Sequence, residues 1–380
     1  MLTQLREWVD TNSGTRNRSG VLRIQQSLGQ LLEAEGFGLE WIENPNGASV
    51  SGPLLVARRD VGEKNPVVSL VGHADTVFEA DHPFQKSAIS ADGKTATGPG
   101  IIDDKGSLVV GLEAVRKYLA VAASHGMGLQ FVVSPNEEIG SPGFHAVFQK
   151  LSKRSCAVFG LEPSLDNGDI ITRRKGGRWY EIAVTGKEAH AGRAHHEGVN
   201  AAHELAVKLD KLQNLTDYKR GMTVNIGSLE GGHGKFNIVC GHAVGRIDVR
   251  YETSKSGGGL FKKIESILKK QFVGRGKLRA KTKFTIEDSC PPLEPQKSNA
   301  PWIAEYAKAV KRLEGRAPKA GFSGGGSDSS HFGRAGLVVL DGVGAVGGKI
   351  HTVEEYLTVS SLKTRSDALC ILLQRAAAEF

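Results

Sequence analysis

The first half of the chain alternates short apolar runs with stretches of helical spacing. The apolar runs cover residues 67–71, 129–133 and 157–161, and leucines and valines recur at helical spacing over residues 106–119. This alternation predicts an α/β fold with a mostly parallel sheet flanked by helices. Functional sites in such sheets gather beyond the carboxyl ends of the strands. The residues that follow each apolar run are therefore the first candidates for function.

Acids and histidines stand at or near these predicted strand ends. Two imidazoles and three carboxylates are suitable ligands for a pair of divalent metal ions. A further carboxylate, Glu137, could act as the base that metal-assisted hydrolysis requires. The sequence therefore predicts a two-metal hydrolytic site. The five candidate ligands are His73, Asp103, Glu138, Glu162 and His351.

Each of these residues has an ordinary interpretation when it is taken alone. The acids Asp103 and Asp104 precede a predicted helix, so one acid could bind metal while the other caps that helix. The pair Glu137 and Glu138 could lie in a solvated loop, but two carboxylates after a buried strand cost free energy unless metal or protons neutralise them. The remaining candidates could be a strand-end acid and an exposed loop histidine.

The sequence pattern changes near residue 177 and changes back near residue 290. Between these positions the patterns follow in the order strand, helix, strand, strand, helix, strand, which predicts an inserted βαββαβ two-layer sandwich. A helical pattern and a final strand then resume the alternation of the first half. We therefore expect a discontinuous catalytic domain of residues 1–176 and 290–380, with a separate inserted domain at residues 177–289.

The net charge of +8 raises the question of nucleic-acid binding. The basic residues are scattered in short groups, such as residues 58–59 and 173–175, and no nucleic-acid motif accompanies them. We therefore expect a solvated surface that attracts anionic substrates. The four cysteines lie far apart without a CxxC pair, which is typical of a reducing compartment. Because no apolar run reaches about 18 residues and no signal-peptide pattern is present, we expect a cytoplasmic protein with no membrane partner, although a removed leader stays open.

Three segments of the chain together resemble one protein family. Residues 72–77 read Gly-His-Ala-Asp-Thr-Val, residues 98–106 read Gly-Pro-Gly-Ile-Ile-Asp-Asp-Lys-Gly, and residues 136–140 read Asn-Glu-Glu-Ile-Gly. They look like the signature segments, in the same order, of the di-zinc exopeptidases and deacylases. This family includes glutamate carboxypeptidase, succinyl-diaminopimelate desuccinylase, acetylornithine deacetylase and aminoacylase. The resemblance covers nearly the whole chain, and the Gly-Pro-Gly and Asp-Asp elements resemble glutamate carboxypeptidase most.

The resemblance implies two divalent metal ions, with zinc expected and cobalt or manganese as alternatives. Asp103 would bridge both ions. His73 and Glu162 would complete the site of one ion, and Glu138 and His351 would complete the site of the other. The centre would thus use every candidate ligand at the predicted strand ends.

Catalytic roles also follow from the resemblance. Glu137 would be the general base that takes a proton from the attacking water and passes it to the leaving nitrogen. Asp75 would orient the imidazole of His73 through the second ring nitrogen. His190, in the inserted domain, would steady the oxyanion either from its own subunit or from the partner in a homodimer, and both alternatives stay open.

Further matches concern the substrate. Arg250 resembles an arginine that holds a substrate carboxylate, and Asn237 resembles an asparagine that approaches the substrate; a solvated charge and a turn asparagine are the alternatives. Gly325 and Gly326 belong to a glycine-rich run that resembles the loop lining the substrate pocket, with a plain turn as the alternative. Cys240 stands where proline is common in the family, which weakens the case for one named substrate.

These matches predict a zinc-dependent metalloexopeptidase that cleaves an amide bond beside a free carboxylate, similar to glutamate carboxypeptidase. The alternative is an N-acyl amino acid deacylase of the acetylornithine deacetylase or succinyl-diaminopimelate desuccinylase type. The expected partners are a small anionic peptide or N-acyl amino acid, no nucleic acid, and a second copy of the chain bound through the inserted lid domain. A non-catalytic protein on the same fold would lack ligands or the base, and a Rossmann dehydrogenase would need the full GxGxxG pattern, which residues 98–106 lack.

Overall fold

The computed structural model describes residues 1–46, 52–60, 62, 65–121 and 127–380, with the backbone alone at residue 233. The described helices are α1 (Leu2–Val9), α2 (Arg18–Ala34), α3 (Ser107–Val121), α4 (His145–Ser152), α5 (Ala201–Gln213), α6 (Ser254–Lys269), α7 (Ala300–Glu314) and α8 (Val359–Glu379). The described strands are β1 (Gly38–Ile42), β2 (Leu54–Arg59), β3 (Val67–His73), β4 (Ala88–Ile89), β5 (Thr95–Thr97), β6 (Gly128–Ser134), β7 (Ser155–Gly160), β8 (Ile170–Arg174), β9 (Gly176–Thr185), β10 (Thr223–Gly231), β11 (His242–Tyr251), β12 (Gly274–Arg275), β13 (Leu278–Arg279), β14 (Lys281–Cys290), β15 (Ala320–Ser323), β16 (Val338–Leu340), β17 (Gly347–Gly348) and β18 (Tyr356–Thr358).

The described chain divides into two compact units. The first unit contains Met1–Arg174, Glu294–Ser323 and Ser327–Phe380, and the second contains Lys175–Leu293 and Gly324–Gly326. The glycine-rich run is therefore shared, since three of its glycines cluster with the second unit. Across the described residues, no helix is long and apolar enough to cross a membrane.

The first unit is built on a sheet whose described strands have the order β1-β2-β6-β3-β7-β16. β3 pairs in parallel with β6 and β7, and β7 pairs in parallel with β16. On the other side of β6, β2 pairs with β6 and β1 pairs with β2, both in antiparallel orientation. Every residue of β3 and β6 is buried, as expected for parallel strands covered on both faces. The prediction of a mainly parallel central sheet with helices is confirmed.

Helix α3 follows the segment that contains Asp103 and packs closely on this sheet. At Gly111 a Cβ atom would lie 2.7 Å from Leu161 Cδ1 and 2.9 Å from Phe131 Cζ. Only a residue without a side chain allows the helix to lie this near to the strands. The buried face of the helix also contains the apolar positions expected from the sequence: Leu108, Leu112 and Val115.

A smaller sheet of the first unit brings two distant segments together. Its order is β17-β18-β5-β4, and the antiparallel pairing of β18 with β5 places Tyr356 opposite Thr97. Residues 98–106 therefore leave from the same end of this sheet at which residues 349–355 enter it. These are the segments that carry Asp103 and His351.

The second unit contains a sheet with the described order β10-β11-β9-β14, in which all pairs are antiparallel. Alternate residues of β9 and β11 are buried against the apolar sides of α5 and α6. This alternation follows from the two-residue period of a strand. The opposite face of β11 carries Arg246, Asp248 and Arg250.

A buried ion pair joins the helices of the second unit. Lys208 Nζ lies 3.1 Å from Glu204 Oε1, and both side chains are fully buried. The ammonium group also donates to Leu268 O at 2.8 Å, near the end of α6, where a helix leaves carbonyl groups unpaired. The carboxylate accepts from Phe272 N and Val273 N at 2.9 and 2.6 Å. The pair thus fixes the end of α6 against α5.

Candidate metal centre

Three of the candidate ligands follow neighbouring strands of the central sheet. His73 is the last residue of β3, Glu138 lies in a short turn directly after β6, and Glu162 comes two residues after β7. Because β3 lies between β6 and β7, the imidazole of His73 is flanked by the two carboxylates. The three residues meet because the parallel strands that precede them, as inferred from the sequence, end at the same edge of the sheet.

The other two candidate ligands come from the segments joined by the small sheet. Asp103 lies in an irregular turn, Ile101–Gly106, that runs directly into α3. Its backbone is not helical (φ −115°, ψ 89°), and the peptide bond between Asp103 and Asp104 is cis. His351 lies in the loop between β17 and β18 with a positive φ of 63°. Neither residue ends a long strand, so their meeting depends on tertiary structure.

The structure brings the ligand atoms of all five residues together. His73 Nε2 lies 3.0 Å from Asp103 Oδ1 and 3.9 Å from Glu162 Oε1. His351 Nε2 lies 3.4 Å from Asp103 Oδ2 and 3.0 Å from Glu138 Oε2. Two ligand atoms that bind one tetrahedral zinc ion are about 3.3 Å apart. The two oxygens of Asp103 therefore face two different imidazoles, which is the arrangement of a bridging carboxylate.

Glu137 lies beside this cluster. Among the described residues, one carboxylate oxygen of Glu137, one of Glu162 and a ring nitrogen of His73 lie within 4.8 Å of one another, and a similar group joins His73, Asp103 and Glu138. Glu137 can therefore reach the space beside the candidate ligands. It could accept a proton there.

Asp75 supports the candidate ligands through hydrogen bonds. Its Oδ1 lies 3.2 Å from His73 Nδ1 and accepts from Glu137 N at 3.0 Å. Its Oδ2 accepts from Thr15 Oγ1 at 2.7 Å and from Glu138 N at 3.3 Å. One buried carboxylate thus orients a ligand imidazole and fixes the backbone of both glutamates. Thr15 was not expected from the sequence, because it lies 60 residues from Asp75 and belongs to no motif.

Asp104 does not cap α3, which was one alternative for this acid pair. Its Oδ2 accepts from His73 N at 3.1 Å, and its Oδ1 is buried without a described hydrogen-bond partner. The irregular turn before α3 thus places this side chain against the end of β3. At Gly72 a Cβ atom would lie 2.5 Å from Asp104 Oδ2, so residue 72 must be glycine for the carboxylate to fit.

The carboxyl groups of the centre are buried near one another, which perturbs their protonation. Burial, together with neighbouring acids, raises the pKa of Glu162 to about 8 and that of Glu138 to about 7, and holds the pKa of Glu137 well above its usual value. Hydrogen bonds to Asp103 and Glu138 raise the pKa of His351 to about 10. The cluster therefore binds positive charge strongly, and its nitrogen and oxygen donors fit two divalent cations.

Arg174 was counted with the scattered surface charges in the sequence, and this was wrong. Its side chain is only 5% exposed, with Nη2 at 3.4 Å from Glu162 Oε2 and Nε at 2.6 Å from Asp341 Oδ2. Asp341 in turn accepts from Ser327 and Ser329, each at 2.7 Å. A buried ionic network therefore supports the outer oxygen of Glu162. A run of three basic residues carries no signal that its middle member is buried.

The remaining predicted site residues lie in the second unit. His190 is exposed, and its Nδ1 accepts from Gly192 N and Arg193 N, each at 3.1 Å. The Asn237 carbonyl accepts from the amide that follows His190, at 2.9 Å. The structure thus brings these two predicted residues together.

Arg250 is bound by its neighbour on the same sheet face. Its Nε and Nη2 donate to the two oxygens of Asp248 at 2.8 and 2.7 Å. Because a guanidinium has five N–H donors, this bidentate pair leaves part of the group for other acceptors. Gly325 and Gly326 lie in the same unit, where a Cβ at Gly326 would lie 2.9 Å from Cys290 Sγ.

The chain is similar to known proteins over nearly its whole length. Residues 69–375 match the family described as Peptidase family M20/M25/M40. Carboxypeptidase G2 from Pseudomonas sp. (strain RS-16) is 24% identical over 96% of this chain and 86% of that protein. Succinyl-diaminopimelate desuccinylase from Halorhodospira halophila is 26% identical over 94% of this chain and 93% of that protein. The solved structure of a tripeptidase from Staphylococcus aureus has a TM-score of 0.76 at 23% identity, covering 99% of this chain and 98% of the other, which shows the likeness of fold.

Proposed function

The chain belongs to peptidase family M20/M25/M40 and is a hydrolase, and from this premise we propose that it cleaves an amide bond beside a free carboxylate with two divalent metal ions. The observation that carries the proposal is the position of Asp103, whose two oxygens face the imidazoles of His73 and His351. In this arrangement Asp103 would bridge the ions. Glu162 would join His73 on one ion, and Glu138 would join His351 on the other.

We propose zinc as the ion, with cobalt and manganese as alternatives, because imidazole and carboxylate ligands suit all three. When bound, such ions supply Lewis acidity at the scissile carbonyl and at water. Asp75 keeps the outer nitrogen of the His73 ring occupied, so that Nε2 is available to a metal. The buried Arg174 supports Glu162 from the other side.

Glu137 is the proposed general base. Its backbone is fixed by Asp75, and its side chain lies beside the ligand atoms of His73 and Glu162. The carboxylate would take a proton from water and pass it to the leaving nitrogen. In the metal-free protein, burial and neighbouring acids hold the pKa of Glu137 well above its usual value. Bound cations would oppose this shift and favour the carboxylate form that a base needs.

We propose that the second unit serves as a lid and dimerisation domain. His190 would steady the oxyanion from its own or a partner subunit, and Asn237 would approach the substrate. Arg250 would hold a substrate carboxylate, while the backbone at Gly325 and Gly326 would line the pocket. The net charge of +8 supports an anionic substrate, and the four dispersed cysteines, which form no CxxC pair, support a reducing cytoplasmic setting.

The similarity to carboxypeptidase G2 supports an exopeptidase that releases a carboxyl-terminal amino acid such as glutamate. The similarity to succinyl-diaminopimelate desuccinylases supports the alternative, an N-acyl amino acid deacylase. Both activities need the same proposed metal centre and differ in what occupies the substrate pocket. A substrate panel is therefore the deciding measurement.

The test uses the full chain, stripped with a chelator and reloaded with zinc, cobalt or manganese. Its substrates are acyl-glutamates, dipeptides, and N-acetyl and N-succinyl amino acids. Glu137→Gln should keep both ions and lose about 10²–10⁴-fold in kcat, whereas Glu33→Gln, on the exposed side of α2, should match the wild type. Failure of every metal to support amide hydrolysis would refute the proposal, and an undiminished kcat in metal-loaded Glu137→Gln would refute the role of the base.

A further inference from the structure

Glu355 is a buried glutamate that none of the roles above uses. The residue is only 1% exposed. Oε1 accepts from Ile102 N at 3.0 Å and from Asp103 N at 3.2 Å, and Oε2 accepts from Gly100 N at 3.2 Å. Several backbone N–H groups that converge on one carboxylate form a strong anchor for an anion. The turn that carries Asp103 is therefore wrapped around the side chain of Glu355.

Glu355 also belongs to the loop that carries His351. The loop is held internally by short-range contacts, in which Thr352 N donates to Lys349 O at 3.2 Å and Glu355 N donates to Thr352 O at 3.1 Å. The side chain of His351 is half exposed, so packing alone does little to fix it. The carboxylate of Glu355 ties this loop directly to the backbone of the turn that carries Asp103.

We propose that Glu355 is a positioning residue that fixes residues 100–103 relative to residues 349–355, so that Asp103 Oδ2 and His351 Nε2 reach the same ion. This inference rests on the proposed two-metal function. It concerns the ion shared by Asp103, Glu138 and His351. A ligand displaced by a fraction of an ångström loses much of its contribution to a preorganised site.

The two proposed ions should depend on Glu355 unequally. His73 ends a fully buried strand and is held by Asp75, and Glu162 is supported by Arg174. Those supports lie in the central sheet and its buried network. The loop of His351 lies outside that sheet. Loss of Glu355 should therefore weaken mainly the binding of the ion that His351 would hold.

The chain offers a matched control one residue earlier. Glu354 has a side chain that is 73% exposed and approaches only Lys349, at 3.9 Å, among its described ion-pair partners. Glu354→Gln and Glu355→Gln make the same chemical change at neighbouring positions. Only the second puts an amide NH₂ group opposite backbone N–H donors.

The experiment measures zinc content and zinc affinity in the full chain, by elemental analysis and by competition with a chromophoric chelator. Glu355→Gln should weaken one of the two zinc equivalents about 10–100-fold, the usual effect of losing an outer partner of a metal ligand, and leave the other equivalent nearly unchanged. Glu354→Gln should leave both unchanged. If Glu355→Gln does not fold, Glu355→Asp carries the same test, because it keeps the charge but withdraws the carboxylate by one methylene.

Two results would overturn the inference. One is a Glu355 variant that holds both ions with wild-type affinity. The other is a variant that loses both ions equally together with a lower melting temperature of the metal-free protein, which indicates a general structural role. A wild-type chain that binds fewer than two ions would instead refute the proposed two-metal function, so the two failures are distinguishable.

Discussion

Replacing Asp75 by asparagine tests how the proposed centre is held together. Each oxygen of this buried carboxylate faces two donors. Oδ1 faces His73 Nδ1 and Glu137 N, and Oδ2 faces Thr15 Oγ1 and Glu138 N. Asparagine has only one acceptor oxygen, so in either orientation its NH₂ group would meet two donors. The variant therefore loses two hydrogen bonds without a change in side-chain size.

The size of the effect follows from these contacts. A hydrogen bond to a charged group contributes about 1.5–3 kcal/mol, so two losses predict a fall of about 3–6 kcal/mol in the free energy of unfolding. The effect on metal binding should be smaller, because His73 Nδ1 also lies 3.1 Å from the Asp75 carbonyl oxygen. Loss of an outer carboxylate typically weakens a metal site about 10–100-fold, which corresponds to about 1.4–2.8 kcal/mol.

The assay combines urea unfolding of the metal-free protein with a zinc titration against a competing chelator. Thr15→Val is the matched control, since it removes one donor to Asp75 and leaves the carboxylate in place. It should cost no more than about 3 kcal/mol, the upper value for one charged hydrogen bond, and should weaken zinc binding less than Asp75→Asn. The reasoning is refuted if Asp75→Asn binds both ions as the wild type does, or if the two variants weaken binding equally.

Three further predictions concern packing, pH and the second unit. Gly72→Ala would place a Cβ 2.5 Å from Asp104 Oδ2, which should lower the free energy of unfolding by about 1–3 kcal/mol and reduce the zinc content. Urea unfolding and metal analysis measure the two effects, and wild-type values in both would contradict the prediction. In the metal-free protein the pKa of Glu138 is raised to about 7 and that of Glu162 to about 8, from 4.5, chiefly by burial. The folded state therefore keeps protons that the unfolded state has lost, so the free energy of unfolding should fall as pH rises from about 4.5 to about 8. The melting temperature of the protein freed of metal by a chelator should fall over this range, and zinc should raise it more at pH 8 than at pH 5. A melting temperature that rises with pH would argue against these pKa shifts. Lys208→Met leaves a buried carboxylate unpaired and should cost about 3–5 kcal/mol with zinc content unchanged, as urea unfolding and metal analysis would show; a cost below 1 kcal/mol would show that the pair is dispensable.

The sequence predicts those parts of the fold that depend on local periodicity. The apolar run at residues 67–71 is the core of β3, and the helical spacing at residues 106–119 corresponds to α3. Strand ends then indicate where ligands meet, because parallel strands present their carboxyl ends at one edge of the sheet. The candidate ligands could therefore be chosen before their distances were known.

The supporting residues of the site could not be found in this way. Thr15 and Glu355 act on residues 60 and 252 positions away, and no local pattern distinguishes them from ordinary polar residues. Arg174 reads as part of a surface charge run although it is buried. Asp104 turns towards β3 from an irregular turn before α3, in which Asp103 departs from helical backbone angles, and this departure has no clear sequence pattern. Ligands carry a chemical signature, whereas the groups that position them are defined by tertiary contacts.

The order of the proposed ligands along the chain has a consequence for biosynthesis. His73, Asp103, Glu138 and Glu162 all precede the second unit, which begins at Lys175. A chain that emerges from the ribosome therefore presents four of the five ligands before any of the inserted unit exists. His351 arrives only with β18, the strand that pairs with β5 and closes the small sheet. Completion of the proposed metal centre and closure of the small sheet therefore both wait for the segment of the first unit that follows the second unit in the chain.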